Sequence, residues 1–360
     1  MNWLFKELTE ISLGNRTQLS RKPSEIDWQE AYQTSAKQAM EGILLSAVDS
    51  LTENDSKLRP PLPLLYQWLG EVIQIENQNK LLNKAAAELY ILFKNRGVRS
   101  CVLKGQGIAT LYDIPLRRQS GDIDLWVEGG RKKVLQLLRD NSLGYGSVVI
   151  HHVDARIIEG VETEIHFIPV YACNPFCHYK LQRFFKKNSA EQFAHYDEDL
   201  RFSYPTISFN AVYILSHIYM HFLYEGIGLR QIVDYYYVLK NLDEFERKQA
   251  SADIKTVGLL KFAGAVMYVL KDICGMNDLF FITQPDKRRG EQLLEEINRS
   301  GNFGKYDESL KCRNEENLVV FNLVALKRQV RFIRYYPMDI ISIPFFKIGH
   351  WAWRKINGYI

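Results

Sequence analysis

The sequence predicts an α+β fold: a small mixed sheet flanked by N- and C-terminal helical regions. Three observations carry this. Apolar residues recur at three- and four-residue spacing through residues 1–95. Short apolar or β-branched runs punctuated by Gly, Pro and Asp then fill residues 98–169. From about Ser208 the helical spacing returns. The implied division is 1–80 as an N-terminal helical region, 81–205 as the α/β core and 206–360 as a C-terminal helical region.

Taken in order, the run from Asp27 to Leu45 is amphipathic, with Asp27 as N-cap and Glu30 as its capping-box partner. Pro60, Pro61 and Pro63 break the chain, and a long helix follows from about Leu64 to Asn95, ended by Gly97. Val98–Leu103 is a short strand, Lys104-Gly105-Gln106-Gly107 a turn, and a short helix runs through Tyr112 until Asp113-Ile114-Pro115 stops it. Asp122–Val127 is the next strand. A Gly129-Gly130 turn leads into a helix over Arg131–Asn141. Two further strands are expected at Gly146–Ala155 and Val161–Pro169 around a turn at Glu159-Gly160. Helices then cover Asn210–Tyr224 and Leu229–Leu242, continue to about Met276, and return between Asn314 and Ile360.

Composition narrows the class. With 46% apolar and 24% charged residues, the chain is neither disordered nor fibrous. A net charge of +4 does not mark the whole molecule as a nucleic-acid binder. From Val324 onward, seven Lys and Arg stand against one Asp, interleaved with aromatics. That pattern is either an RNA, tRNA or membrane-surface contact, or a solvated face on helices whose aromatics pack inward; the second reading is preferred. Five cysteines without a C-x-x-C pair suit reduced thiols. Cys173, Cys177 and His178 lack a second pair of zinc ligands in the sequence. No signal peptide or spanning apolar window is present, so a cytoplasmic protein without a membrane span is expected.

The most informative stretch is Asp122-Ile123-Asp124 at the head of the strand Leu125-Trp126-Val127. Residues two apart on a strand share a face, so two carboxylates stand side by side. Like charges that close raise each other's pKa unless a cation neutralises them, and hard divalent cations take such oxygen ligands. The pair reads as half of a metal site.

Lys104-Gly105, Arg118, Gly121-Asp122-Ile123-Asp124 and Glu164-Ile165-His166 together resemble a bacterial nucleotidyltransferase family of the DNA polymerase β-like superfamily. Leu215-Ser216-His217 through Asp234 resembles the segment that follows the sheet there, so the likeness covers about Leu81 to Leu242. It implies Mg²⁺- or Mn²⁺-dependent transfer of a nucleoside monophosphate from an NTP, ATP being the first candidate, to a small-molecule or protein acceptor. Asp122, Asp124 and Glu164 would then be both catalytic and metal-binding. Lys104, Gly105, Arg118, Gly121 and Arg230 would face the nucleotide, with His166 and Asp234 as auxiliaries. Lys104-Gly105 stands where the superfamily carries a Gly-Ser turn, and the missing serine is a departure. Arg118 either clamps a phosphate or neutralises the two aspartates. His166 either assists Glu164 or bonds a neighbouring strand. His217, His221 and Glu225 share one helical face, as a metal site or as a packed, hydrogen-bonded row. Two other functions use the same fold: a non-catalytic nucleotide-binding module, and an RNA-modifying enzyme.

Overall fold

The computed structural model describes residues 1–307 and 318–359. Four helices open the chain: α1 (Trp3–Ser12), α2 (Glu25–Gln38), α3 (Glu41–Asn54) and α4 (Leu62–Lys94). The expected cap shifts by one turn. Ser24 caps α2, and Asp27 sits at the third helical position, closing the capping box back onto the Ser24 amide. The single helix expected over 27–45 divides at Ala39, which adopts φ 56° and ψ 45°. Good helix formers on both sides hide that break from periodicity. Beyond the break, α3 starts against the loop that precedes the Asp122 strand, where a Cβ on Gly42 would lie 2.2 Å from the Arg117 carbonyl oxygen.

The sheet follows, in strands β1 (Ser100–Leu103), β2 (Ile123–Val127), β3 (Tyr145–Val148), β4 (His152–Ala155) and β5 (Thr163–His166). Helix α5 (Gly105–Ala109) links β1 to β2, and α6 (Gly130–Asp140) links β2 to β3. Strand order is β1-β2-β5-β4-β3, with β2 and β5 parallel and the other neighbours antiparallel. Gly146–Ala155, expected as one strand, is the β3–β4 hairpin. The apolar run Val148-Val149-Ile150 reads as uninterrupted strand, yet the chain reverses there, with the Val149 amide bonded to the His152 carbonyl at 3.0 Å.

Alternation sets the two faces of the sheet. Ile123, Leu125, Val127 and Ile165 bury against Leu89 and Phe93 of α4 and Leu138 of α6. Each large side chain on that side contributes about 1.5–3 kcal/mol by leaving water. Cys101, Leu103 and Trp126 face a larger core shared by the N-terminal helices and those that follow the sheet. Asp124, Glu164 and His166 alternate onto this second face, at its polar end.

Helix α7 (Pro175–Ala194), capped by Asn174, lies in a stretch where the sequence suggested no element. A small hairpin of β6 (Tyr196–Asp197) and β7 (Phe202–Ser203) leads to α8 (Ile207–Tyr224), α9 (Leu229–Asn241), α10 (Glu244–Val257), α11 (Leu260–Cys274) and α12 (Lys287–Ser300). Two more, α13 (Leu318–Val330) and α14 (Pro337–Ile356), complete the described chain. Cys312 and the expected helix start at Asn314 lie outside the described residues. The preferred reading of the basic C-terminal stretch needs correction at several residues. Arg328 is buried, pairs with Glu296 at 2.7 Å, and donates to the Phe222 and Leu223 carbonyls at the end of α8. Phe332 and Tyr336 pack inward, whereas Phe345 and Trp351 are 73% and 56% exposed. Among the described residues no helix is long and apolar enough to cross a membrane.

Candidate active site

Register brings the acidic residues together. On the parallel pair β2–β5, Asp124 lies opposite Glu164 and Trp126 opposite His166, so both carboxylates project from the same face of adjacent strands. Asp122 precedes Asp124 by two residues. On the other flank Leu103 pairs with Asp124, so the chain leaving β1 delivers Lys104 beside it. Lys104 Nζ stands 2.8 Å from Asp124 Oδ2 and 3.0 Å from His217 Nε2. The backbone turns sharply to do this: Lys104 has φ 50° and ψ −142°, and Gly105 follows with φ 40°. A positive φ suits Gly105 and strains Lys104.

His166 closes the cluster. Its Nε2 lies 2.9 Å from Asp124 Oδ1 and 3.2 Å from Glu164 Oε2, while Nδ1 faces the Ile168 carbonyl at 3.3 Å. Glu164 Oε2 also meets His152 Nδ1 at 3.1 Å, and His152 Nε2 meets Asp154 at 3.3 Å. His217 and His221 touch at 3.0 Å through their Nε2 atoms, and His221 Nδ1 reaches Glu225 at 3.1 Å.

These contacts separate the two aspartates electrostatically. Asp124 pushes the Asp122 carboxyl up to about 6, with burial adding to the effect and Lys104 opposing it. Burial works against ionising Asp124 as well, but Lys104 and His166 outweigh it and hold that carboxyl well below the usual range. Glu164 is lowered too, its hydrogen bond to His166 overcoming burial. His166 is raised to about 9: burial opposes its charge, and the Asp124 and Glu164 carboxylates more than compensate. Lys104 and His166 are therefore the cations beside these carboxylates.

Two clefts meet at the aspartates. One, of about 780 Å³, runs past Gly105, Arg118, Gly121, Arg230 and Asp234. The other, of about 1150 Å³, is lined by His151, His152, Glu164, His166 and His221. Lys104, Asp122, Asp124, His217 and Phe303 line both.

Arg118 points elsewhere than at Asp122 and Asp124. Its Nε and Nη2 donate to the two oxygens of Asp234 on α9 at 2.7 and 2.8 Å, and Nη1 donates to Ser120 at 2.8 Å. Tyr112 donates to the same Asp234 at 2.7 Å. Arg230, which the sequence pairs with Asp234, is farther off at 3.6 Å. Arg117 turns the opposite way, to Asp49 and Glu76 at 2.6 and 3.2 Å. The structure thus brings Lys104, Asp124, Glu164 and His166 into contact, leaves Asp122 on the wall of the same clefts but outside that ligand group, and sets Gly105, Arg118, Gly121, Arg230 and Asp234 along the first cleft. Sequence reasoning missed His151, His152 and Asp154. Their signal was the alternation in His152-Val153-Asp154, hidden because the β3–β4 turn went unrecognised.

A divalent cation fits these donors. Ligand atoms of Asp124, Glu164 and His166 all lie within 4.8 Å of one another, and the Asp122 carboxyl beside them is destabilised as an anion by its neighbour. Residues 24–275, more than half of the chain, match the family described as "Uncharacterised nucleotidyltransferase". The chain belongs to this nucleotidyltransferase family. No curated protein matches it. Among solved structures, it is similar to an antigenic nucleotidyltransferase-like protein from Paracoccidioides brasiliensis, with 12% identity and a TM-score of 0.34 over 58% of this chain and 96% of that one. It is also similar to the Thermotoga maritima CCA-adding enzyme in complex with tRNA, with 12% identity and a TM-score of 0.20 over 76% and 80%. Likenesses this distant carry no weight for mechanism.

Proposed function

We propose that this member of the nucleotidyltransferase family is an active, Mg²⁺- or Mn²⁺-dependent enzyme of the polymerase β-like kind, moving a nucleoside monophosphate from an NTP to an acceptor. One observation carries the reading: Asp122 and Asp124 stand where two clefts join, and Glu164, opposite Asp124 on the adjacent parallel strand, lines the second of them. A two-substrate displacement needs that layout, with donor and acceptor approaching one reaction centre from different sides.

The cleft past Gly105, Gly121, Arg118 and Arg230 takes the triphosphate. Arg230 offers a buried guanidinium there, and Gly121 lets phosphate approach the backbone. A Cβ on Gly121 would meet no protein atom within 4 Å, so packing does not require the glycine. The histidine-lined cleft takes the acceptor, a small molecule or a protein side chain. The acceptor oxygen attacks the α-phosphorus, the bond to the bridging oxygen breaks, and pyrophosphate leaves through the first cleft. Glu164, at the acceptor side, receives the acceptor's proton. Asp122, Asp124 and Glu164 would hold a dication, which would supply charge neutralisation along the triphosphate and lower the pKa of the attacking hydroxyl.

The test is transfer of label from α-labelled NTPs, each base offered in turn with Mg²⁺ or Mn²⁺, to the protein itself or to a metabolite extract. Label transfer that disappears in Asp122→Asn and Asp124→Asn supports the proposal. Nucleotide binding unchanged in those variants, without turnover, favours the non-catalytic module. No nucleotide binding with either ion removes the reading.

A further inference from the structure

The cleft assigned to the acceptor holds a second donor set whose chemistry differs from that of the aspartates. His151 and His152 stand at the β3–β4 turn, and register pairs His152 with His166 across β4 and β5. The three rings face one another, with centroids 4.4 to 5.3 Å apart and ligand nitrogens within 4.8 Å. Glu164 reaches two of them, His152 at 3.1 Å and His166 at 3.2 Å.

Donor spacing is the first argument. An ion that holds nitrogen and oxygen tetrahedrally at about 2.0–2.1 Å sets neighbouring donors about 3.3 Å apart. Here His151 Nε2 is 3.1 Å from His152 Nδ1, which is 3.1 Å from Glu164 Oε2, which is 3.2 Å from His166 Nε2. These three separations lie close to three of the six edges such an ion sets.

Outer contacts give the second argument. His152 Nε2 faces the Asp154 carboxylate at 3.3 Å, and His166 Nδ1 faces the Ile168 carbonyl at 3.3 Å. Both partners are acceptors, so each takes an N–H from its ring. The remaining nitrogens, His152 Nδ1 and His166 Nε2, face Glu164 Oε2, and His166 Nε2 also faces Asp124 Oδ1 at 2.9 Å, so a bound ion would take the place of the bridging protons. Carboxylate and carbonyl groups behind ligating histidines are the arrangement that orients imidazoles at metal centres.

We propose that His151, His152, His166 and Glu164 form a site for a divalent transition ion of the Zn²⁺ class, distinct from the Mg²⁺ or Mn²⁺ of the aspartates. Three imidazoles select against Mg²⁺, a hard ion that prefers oxygen and water. Glu164 is common to both sets, so the transition ion lies beside the reaction centre, on the acceptor side. Ion binding here stands whether or not nucleotide is transferred.

The experiment uses the full chain stripped with EDTA and titrated with Co²⁺ alone, followed by visible absorption. One equivalent is expected to bind with the intense bands of a four- or five-coordinate ion, and to be displaced by Zn²⁺ but not by millimolar Mg²⁺. Asp154→Asn is expected to weaken binding about 10–100-fold, and His152→Ala by more. Asp122→Asn, which removes a proposed nucleotide-metal ligand, leaves Co²⁺ binding intact, so loss of transfer and loss of this site read out separately. Failure of the folded wild-type chain to bind stoichiometric Co²⁺ overturns the proposal. So does binding unchanged in both Asp154→Asn and His152→Ala.

Discussion

Arg118 and Asp234, 116 residues apart in sequence, form a two-point ion pair at 2.7 and 2.8 Å that ties the loop before β2 to α9. The loop leading into Asp122 is thereby fixed to a helix outside the sheet. Asn79 on α4 holds the same loop from the other side, donating to the Leu116 and Arg118 carbonyls at 2.7 Å each.

Breaking this pair from one side is expected to be costly. Arg118 and Asp234 are only 2% and 5% exposed, so Asp234→Ala leaves a guanidinium buried without its main partner. A loss of about 3–5 kcal/mol in denaturant unfolding is expected. Asp234→Asn, which keeps one acceptor, should lose less. If Asp234→Ala matches wild type in stability, the pair does not anchor the loop.

Two glycines separate packing from ligand approach. Gly42→Ala places a Cβ 2.2 Å from the Arg117 carbonyl oxygen, so α3 must shift and stability should fall by more than about 1 kcal/mol. Gly121→Ala meets no protein atom within 4 Å, and its stability should stay within about 0.5 kcal/mol of wild type. Under the proposed function, Gly121→Ala nevertheless weakens NTP binding at least about tenfold, a difference of about 1.4 kcal/mol. Calorimetric titration with a non-hydrolysable NTP and Mg²⁺ checks this, and unchanged affinity would place the triphosphate elsewhere.

Asp122 predicts a trade between stability and function. Its carboxyl sits near 3.8 in the unfolded chain and near 6 in the fold, so the native state binds its proton more tightly. Below about pH 4 both states are protonated and nothing is lost. Between pH 4 and 6 the unfolded chain ionises first, so stability falls as pH rises, and the full cost is present above pH 6. In EDTA, Asp122→Asn should therefore be more stable than wild type by about 1–3 kcal/mol at pH 7.5, with the gain vanishing near pH 4. Added Mg²⁺ or Mn²⁺ should raise the Tm of wild type more than that of the variant. Melting curves at the two pH values decide the matter.

What the sequence made legible was local. The Asp-x-Asp spacing, the Glu164-Ile165-His166 alternation and the Lys104-Gly105 turn each depend on neighbours within a few residues, and strand geometry converts them directly into shared faces. The partner of Arg118 depends on how α9 docks, and no spacing rule reaches across that distance. The β3–β4 hairpin escaped because its turn is apolar, which kept His151 and His152 from being placed beside Glu164. Helix α7 escaped for a related reason: only four of its residues are buried, so its apolar stripe is weak. Arg328 looked like part of a solvated face because its role, bonding the carbonyl end of α8, exists only after α12 and α13 pack there.

Lys104 carries the sharpest conflict between local and global demands. Its φ of 50° and ψ of −142° belong to a region that costs a side-chain-bearing residue about 1–3 kcal/mol, yet the turn delivers its ammonium to Asp124 at 2.8 Å. Lys104→Ala and Lys104→Gly both remove that ammonium and leave Asp124 with His166 as its remaining close cation. Only the glycine variant also relieves the backbone. Lys104→Gly should therefore be more stable than Lys104→Ala by about 1 kcal/mol or more, while both lose nucleotidyl transfer to the same extent. Equal stability would mean that the turn is unstrained. Transfer retained by either variant would mean that the ammonium beside Asp124 is not needed for transfer.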